Sequence, residues 1–211
     1  MESLFEGLSD SFSRQSLCLC GSEISLDDFG TVTKIAKEAY LYCLSRKKIK
    51  HFPSNILRHA DEYCSFLVFL ARQAYLNDYD FLAETAYLLN RRIHAFECFY
   101  TRDMPSVFHL EHPVGSVLGQ ATFGENLVVY QGVSVGGDPK MRYPQIGEGV
   151  VLFSKSSLIG SVVVGSNCAI GAGVQIYGKS IPDNLAVSKR EFDSCFSSPM
   201  SWSVKDRFFK L

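Results

Sequence analysis

Residues 146 to 187 read IGEGVVLFSKSSLIGSVVVGSNCAIGAGVQIYGKSIPDNLAV, and an aliphatic side chain recurs at every sixth position of this stretch. The recurring residues are Ile146, Leu152, Leu158, Val164, Ile170 and Ile176. Four positions after each comes a small or short side chain, at Val150, Ser156, Val162, Cys168, Val174 and Ser180. A helix repeats every 3.6 residues and a half-buried strand every 2, so neither keeps this register. The period predicts a hexapeptide β-solenoid.

Such a solenoid forms when three short strands make one triangular coil and the aliphatic residue of each hexapeptide points inward. Coils stack about 4.8 Å apart, as strands do in any sheet. Gly147, Gly165 and Gly171 follow three of the inward residues, where a side chain would crowd the turn or a positive φ is wanted. We therefore predict a left-handed parallel β-helix. An antiparallel sandwich of short strands is the alternative, but it would have no reason to hold a period of six.

The same spacing occurs upstream in a different phase, at Val117, Phe123, Val129 and Val135. The register breaks between Val135 and Ile146, over a segment with two glycines, two prolines and three charged residues. This composition predicts a loop that leaves the solenoid. Loops carried on a rigid scaffold are frequent places for binding and catalysis.

The N-terminal half shows helical patterns instead. Ser25 precedes an acidic first turn, and apolar residues then follow at three-and-four spacing as far as Cys43. Further helices are predicted from about Ala60 to Leu76 and from about Asp80 to Phe96. The fold class is thus α+β, with an N-terminal helical domain followed by a left-handed parallel β-helix.

We expect four segments along the chain. Residues 1–24 form an N-terminal arm that is either loose or a short helix, and residues 25–99 form the helical domain. Residues 100–188 form the β-helix, and residues 189–211 form a tail that caps the prism or packs on a neighbour.

Composition limits the class of protein. The chain has 211 residues, 46% of them apolar, and a formal net charge of −1, which indicates a soluble globular protein without a nucleic-acid or membrane partner. The first twelve residues contain acids and no basic region, so no secretory signal is expected. The seven scattered cysteines are typical of a reduced cytoplasm. Cys18 and Cys20 have the wrong spacing for a zinc knuckle, and no metal is predicted.

Two of the five histidines stand where a reaction could occur. His109 and His112 lie at the mouth of the first coil, where stacked coils fix a ring that solvent still reaches. The other three, His51, His59 and His94, lie in or beside the connector or on a helix, and we expect them to be structural or solvated.

At these residues the sequence resembles the serine acetyltransferases and the related hexapeptide acetyltransferases of bacterial polysaccharide gene clusters. Glu111-His112-Pro113-Val114-Gly115, followed by Gly119, matches the spacing of that family's Asp-His-Ala-Thr-Gly segment. Gly136-Gly137 and then Arg142-Tyr143-Pro144-Gln145-Ile146 correspond to its Gly-Gly and Arg-His-Pro-Lys-Ile segments. The resemblance covers roughly residues 60–189, and a helical domain ahead of the solenoid is also the family's arrangement.

The resemblance implies acetyl transfer from acetyl-CoA to a hydroxyl or amine. His112 would be the general base, because a neutral imidazole can take the proton of an attacking alcohol. The family's partner carboxylate lies fifteen residues before the histidine, which is Glu97 here. Glu111 is the other acidic neighbour and would hold a substrate ammonium.

For the acceptor, the family's arginine corresponds to Arg142, whose guanidinium suits a carboxylate. Tyr143 stands where serine acetyltransferases carry a second histidine beside the acceptor. The family's upstream Arg-Asp-Pro segment, which contributes another acceptor-binding acid, has no recognisable counterpart.

For the donor, the family lays CoA along the prism between two subunits. The resemblance implies a homotrimer or a dimer of trimers. The residues expected to meet CoA are Gly137, Gly171, Ala172, Lys179, Lys189 and Arg190.

Three functions stay open from the sequence. One is an O-acetyltransferase acting on serine or a related amino acid, and Arg142, Glu111 and Glu97 favour recognition of a zwitterion. The second is a sugar O- or N-acetyltransferase of polysaccharide biosynthesis, which Tyr143 and the turn after His112 favour. The third is a non-catalytic scaffold that keeps the solenoid only for assembly.

Overall fold

The structure is a computed structural model that describes residues 2–21, 23–48, 54–189 and 195–210. Within these ranges the α-helices are Leu8–Gln15 (α1), Leu26–Arg46 (α2), Ala60–Leu76 (α3), Asp80–His94 (α4) and Val204–Phe208 (α5). Short 3₁₀ helices cover Glu2–Phe5 and Ile56–Arg58, and a π-helix covers Ser16–Cys20. None of the helices in the described ranges is long and apolar enough to cross a membrane.

The helical region is held by an apolar core between α2, α3 and α4. Ser25 caps α2 by accepting the backbone N–H of Asp28. Of the two alternatives for residues 1–24, the structure has the short helix, since Phe12 of α1 is fully buried and stacks on Phe29 with ring centroids 4.6 Å apart. The N-terminal segment therefore packs as part of this core.

The strands form three sheets, which are the faces of a prism. One face consists of Glu97–Cys98 (β1), Val117–Leu118 (β3), Ser134–Gly136 (β6), Ser157–Ile159 (β9) and Gln175–Tyr177 (β12). A second consists of Thr122–Phe123 (β4), Gln145–Ile146 (β7), Val163–Val164 (β10) and Ser180–Ile181 (β13). The third consists of Phe108–Leu110 (β2), Leu127–Val129 (β5), Val150–Leu152 (β8), Cys168–Ile170 (β11), Leu185–Lys189 (β14) and Cys195–Pro199 (β15).

The strand pairing confirms the predicted left-handed β-helix, which has about five turns. Every pairing between these strands is parallel except that of β14 with β15. All six aliphatic residues from the opening stretch are buried inside the prism. The six-residue period therefore reports the inward positions, as predicted.

The prediction that Val117 is an inward residue of the upstream repeat was wrong. Val117 is 40% exposed, whereas Leu118 is buried and aligns with Val135 in the next coil. Leu118 and Phe123 are both buried and align with the inward residues Val135 and Ile146 of the next coil, so the connection from residue 118 to residue 123 is one residue shorter than a strict count of six. Because alternate side chains of a strand face opposite sides, a shift of one residue exchanges inside for outside.

The junction of the two regions also differs from the sequence prediction by a few residues. α4 ends at His94, followed by Ala95 with a φ of 49°, so the helix stops two residues before the predicted end at Phe96. Glu97 and Cys98 already pair with β3. The first strand of the solenoid thus begins before residue 100.

Stacked glycines let successive coils approach closely at one edge of the prism. A Cβ added to Gly124 would come within 2.5 Å of the carbonyl carbon of Gly147, and one on Gly147 within 2.8 Å of that of Gly165. None of the three has a positive φ. Close approach, rather than backbone conformation, is therefore what requires glycine here.

The C-terminal segment folds back over the third face of the prism. β15 runs antiparallel to β14, and α5 then packs Val204 against the outward-facing Val128 and Val151. Backbone hydrogen bonds from Lys48 to Phe208 (2.8 Å) and from Lys210 to Arg46 (2.7 Å) fasten its end to the helical region. The sequence left open whether this C-terminal tail caps the prism or packs on a neighbour. In the structure it covers the third face of its own prism.

Candidate active site

A cleft of about 590 Å³ lies where the helical region, the first coil and the C-terminal segment meet. The residues that line it are Lys48, His59, Asp61, Glu62, His109, Leu110, Glu111, His112, Tyr130, Phe153, Arg207 and Phe208. Three histidines and three carboxylates are thus gathered in one concave site. Convergent titratable groups in a concave site are a physical marker of a functional site.

His112 follows strand β2, in a turn where its backbone is left-handed with a φ of 50°. Its side chain is 73% exposed, but both sides of the ring are approached by carboxylates. Asp61 Oδ2 lies 3.3 Å from Nδ1 and also accepts the backbone N–H of His112 at 3.1 Å. Glu111 Oε1 lies 3.8 Å from Nε2. The imidazole is therefore oriented while its edge stays open to the cleft.

Glu97, which the resemblance suggested as the partner of His112, makes a different contact. Its carboxylate forms an ion pair with Arg91 at 3.2 Å, and it does not line the cleft. Asp61 takes the position beside Nδ1. The sequence reasoning missed Asp61, because the acidic first turn of α3 marks the start of a helix and does not indicate a histidine partner.

Glu111 forms a close pair with His109. His109 Nε2 and Glu111 Oε2 lie 2.7 Å apart, and this hydrogen bond holds the pKa of the Glu111 carboxyl below its usual value. Glu111 is consequently an anion at neutral pH. The ring of His109 faces Phe208 of α5, with centroids 6.3 Å apart.

A buried ionic network supports the floor of the cleft next to Asp61. Glu62 receives hydrogen bonds from Lys47 Nζ at 2.9 and 3.2 Å and from the Tyr40 hydroxyl at 3.0 Å. Lys47 and Glu62 are almost completely buried, and Lys47 Nζ also lies 5.9 Å from the ring centroid of Phe108 in β2. The network joins α2 and α3 to the first coil.

Arg142 and Tyr143 lie away from this cleft in the single chain. Arg142 Nε donates to Asp138 Oδ2 at 2.7 Å, and this hydrogen bond lowers the pKa of the Asp138 carboxyl. Tyr143 packs over Gly137 and lines a separate cavity of about 320 Å³ that includes Gln120. The predicted acceptor residues and His112 are therefore not brought together within one described chain.

Those residues expected to meet CoA that the structure describes also lie outside the cleft. Ala172 and Lys179 are exposed, and Gly171 packs closely on the carbonyl oxygen of Val187. Lys189 is the last residue of β14. Arg190 lies outside the described residues.

Comparison with known proteins gives a consistent picture. The family model "Bacterial transferase hexapeptide (six repeats)" matches residues 143–178. The serine acetyltransferase of Staphylococcus epidermidis is 35% identical over 82 residues, which are 37% of this chain and 38% of that protein. The chain thus spans well under half of the length of this curated relative. The resemblance inferred from the sequence is confirmed by these similarities.

Solved structures match over more of the chain. The serine acetyltransferase of Brucella abortus strain S19 matches with a TM-score of 0.70 and 19% identity, over 91% of this chain and 83% of that one. The enzyme of Neisseria gonorrhoeae in complex with serine matches with a TM-score of 0.67 and 22% identity, over 92% and 84%. A complex of the Brucella enzyme with coenzyme A matches with a TM-score of 0.69 and 18% identity, over 92% and 83%. At these identities the likeness shows the fold.

Proposed function

We propose that the chain is an acetyl-CoA-dependent O-acetyltransferase that acts on the hydroxyl of serine or a related amino acid, with His112 as the general base. The observation that carries the proposal is the carboxylate of Asp61 beside Nδ1 of an exposed imidazole in a cleft. The matched relatives are serine acetyltransferases, and solved structures of the same fold contain serine or coenzyme A.

The chemistry follows from the tautomer of His112. A carboxylate at Nδ1 favours a proton on that nitrogen, which leaves the Nε2 lone pair free to act as a base. Nε2 takes the hydroxyl proton as the acceptor oxygen bonds to the thioester carbonyl carbon. The C–S bond then breaks, and the CoA thiolate leaves and is protonated. Asp61 stabilises the imidazolium that His112 becomes when it takes the proton. A general base such as His112 typically contributes a factor of about 10²–10⁴ in rate.

An acceptor ammonium suits the same cleft. Asp61 and Glu111 place two carboxylates around His112, and the pKa of Glu111 is lowered by His109. A cation held there would bring its neighbouring hydroxyl next to the imidazole. This supports Glu111 as a binding group for the ammonium.

The donor and the assembly remain parts of the proposal. Gly137, Gly171, Ala172, Lys179, Lys189 and Arg190 are retained as the residues that would meet CoA. The five of them that the structure describes do not line the cleft of their own chain, so a neighbouring subunit in a homotrimer or a dimer of trimers would bring them to the His112 of another subunit. We expect the reaction to take place in the cytoplasm.

One feature of the cleft favours the alternative, a sugar O- or N-acetyltransferase. The rings of Tyr130 and Phe153 both line the cleft, with centroids 5.1 Å apart and planes inclined by 33°. Adjacent aromatic faces of this kind provide an apolar platform on which a pyranose ring can lie. The two readings therefore differ in which acceptor the cleft prefers.

Acceptor-dependent release of CoA thiol from acetyl-CoA tests both readings with a panel of serine, homoserine and nucleotide sugars. We expect turnover with an amino-acid hydroxyl and a loss of about 10²–10⁴ in kcat for His112→Ala. Val114→Ala, in the same exposed turn, is the matched control and should keep wild-type turnover. Unchanged turnover in His112→Ala would refute the base assignment, and turnover with sugars alone would favour the alternative.

A further inference from the structure

The C-terminal helix α5 forms one wall of the cleft that contains His112. Arg207 and Phe208 line the cleft together with residues of the first turn of α3, and Phe208 faces the ring of His109. His109 is in turn hydrogen-bonded to Glu111. Residues that follow the solenoid thus contact the groups that surround His112.

The position of α5 is fixed by contacts at both of its ends. At its start, Ser203 accepts the backbone N–H of Asp206, and Asn167 accepts that of Val204 at 3.0 Å. At its end, Phe209 is buried against the third face of the prism and forms an isolated antiparallel bridge with Lys47. Because both ends are held, a side chain between them is presented to the cleft in a defined position.

Arg207 is a cation in the wall of the cleft without a carboxylate partner among the described residues. Its guanidinium carbon lies 5.0 Å from the ring centroid of Trp202, and no carboxylate of the described residues forms an ion pair with it. By contrast, Lys48 donates to the carbonyl oxygen of Asp206, and Lys205 pairs with Glu148. Arg207 is therefore the cation on this wall that is available to a ligand.

Anionic and cationic side chains line the same cleft. Asp61 and Glu111 surround His112 on one side, and Arg207 lies on the α5 wall. Tyr130 and Arg207 both line this cleft. A zwitterion matches this arrangement, with its ammonium toward the carboxylates and its carboxylate toward the guanidinium.

We propose that Arg207 binds the carboxylate of the acceptor amino acid and so makes the C-terminal segment a determinant of acceptor specificity. This inference rests on the proposed acetyltransferase function. A guanidinium suits the role because it offers paired donors to a carboxylate, and the contact with the Trp202 ring restricts where the Arg207 side chain lies. Arg142 is engaged by Asp138 in its own chain and is the competing candidate.

The test compares two acceptors that differ only in the carboxylate, L-serine and ethanolamine, in the full-length protein. For Arg207→Gln we expect KM for serine to rise about 10- to 100-fold, the effect of losing a charge-assisted hydrogen bond. We expect kcat and the KM for acetyl-CoA to change less than threefold, and kinetics with ethanolamine to stay the same. Arg207→Lys should restore part of the affinity for serine.

Lys205→Gln is the matched control, because it removes a cation from the same helix on the side that pairs with Glu148. It should leave both acceptors unaffected, and circular dichroism should show the same fold in all variants. Equal losses with serine and ethanolamine, or less than a twofold change with serine, would overturn the inference. A serine-specific loss confined to Arg142→Gln would overturn it too, while leaving the acetyltransferase function in place. A wild-type protein that acetylates no acceptor would instead refute the proposed function, and the inference with it.

Discussion

Asp61 and His112 lie 51 residues apart in the chain, yet one oxygen of Asp61 contacts both the backbone N–H and the ring of His112. Asp61 stands in the first turn of α3, and His112 in the turn after the first strand of the third face. The helical region thus contributes directly to the candidate active site, because its position sets the orientation of the imidazole. The contact between the two regions is therefore part of the candidate active site.

The identity of the carboxylate partner is testable by comparing Asp61→Asn with Glu97→Gln. An amide at position 61 can donate a hydrogen bond to Nδ1 and would favour the wrong tautomer of His112. We expect kcat of Asp61→Asn to fall by about 10²–10⁴, with the KM for acetyl-CoA unchanged. Glu97→Gln breaks the half-exposed pair with Arg91, outside the cleft, and we expect less than a threefold change in kcat.

Asp103→Asn controls for the loss of a carboxylate as such, since Asp103 is 92% exposed and pairs with Arg72 at the surface. Steady-state kinetics with saturating acetyl-CoA give the comparison. If Glu97→Gln were the more damaging change, the resemblance-based assignment of Glu97 would be the better one.

The period of the solenoid could be found in the sequence because the fold repeats the same environment every six residues. Each inward position requires an apolar side chain that fits inside the prism. The sequence shows this requirement at six successive positions, from Ile146 to Ile176. Asp61 offers no such repetition. Its role depends on how α3 is placed against the first coil, and a helix N-terminus with two acids looks the same whether or not it faces a histidine.

The same reasoning explains what the sequence analysis missed at the two ends of the solenoid. Val117 was predicted by counting six back from Phe123, but the inward residue is Leu118 because the connection between these two strands is one residue shorter than in the regular repeat. Arg207 lies beyond the last repeat. Its place on the wall of the cleft follows from hydrogen bonds of two other residues of α5, Val204 with Asn167 and Phe208 with Lys48, whose partners are distant in sequence. Non-local contacts of this kind leave no periodic signal.

The buried pair of Lys47 and Glu62 should show the asymmetry expected of buried ions. Lys47→Met leaves the carboxylate of Glu62 buried without its cation, which should lower the free energy of unfolding by about 3–5 kcal/mol. The double variant Lys47→Met/Glu62→Gln removes both charges and keeps an acceptor for the Tyr40 hydroxyl. It should recover most of the loss in urea unfolding. Equal stability of the single and double variants would contradict this account.

The stacked glycines Gly124, Gly147 and Gly165 leave no room for an added methyl group. Gly147→Ala would place a Cβ 2.8 Å from backbone atoms of the next coil, which cannot move independently, and should lower the free energy of unfolding by about 1–3 kcal/mol. Gly136→Ala is the matched control, because no atom lies within 4 Å of its added Cβ and its φ is not positive. Thermal unfolding followed by circular dichroism compares them. A Gly147→Ala protein as stable as Gly136→Ala would show that the coils are less tightly stacked.

His94 should make the folded protein sensitive to mild acid. Burial lowers the pKa of His94 to about 4, and its Nε2 atom has no hydrogen-bond partner among the described residues. Between pH 6.5 and 4 the unfolded chain therefore binds a proton that the folded chain excludes, so the free energy of unfolding falls as the pH drops through this window. The loss should reach roughly 1–3 kcal/mol after allowance for the partial exposure of the ring. His94→Phe keeps an aromatic ring against Tyr63 and should flatten the profile measured by urea unfolding at pH 7, 6, 5 and 4. An unchanged slope in that variant would mean that another group controls the acid response.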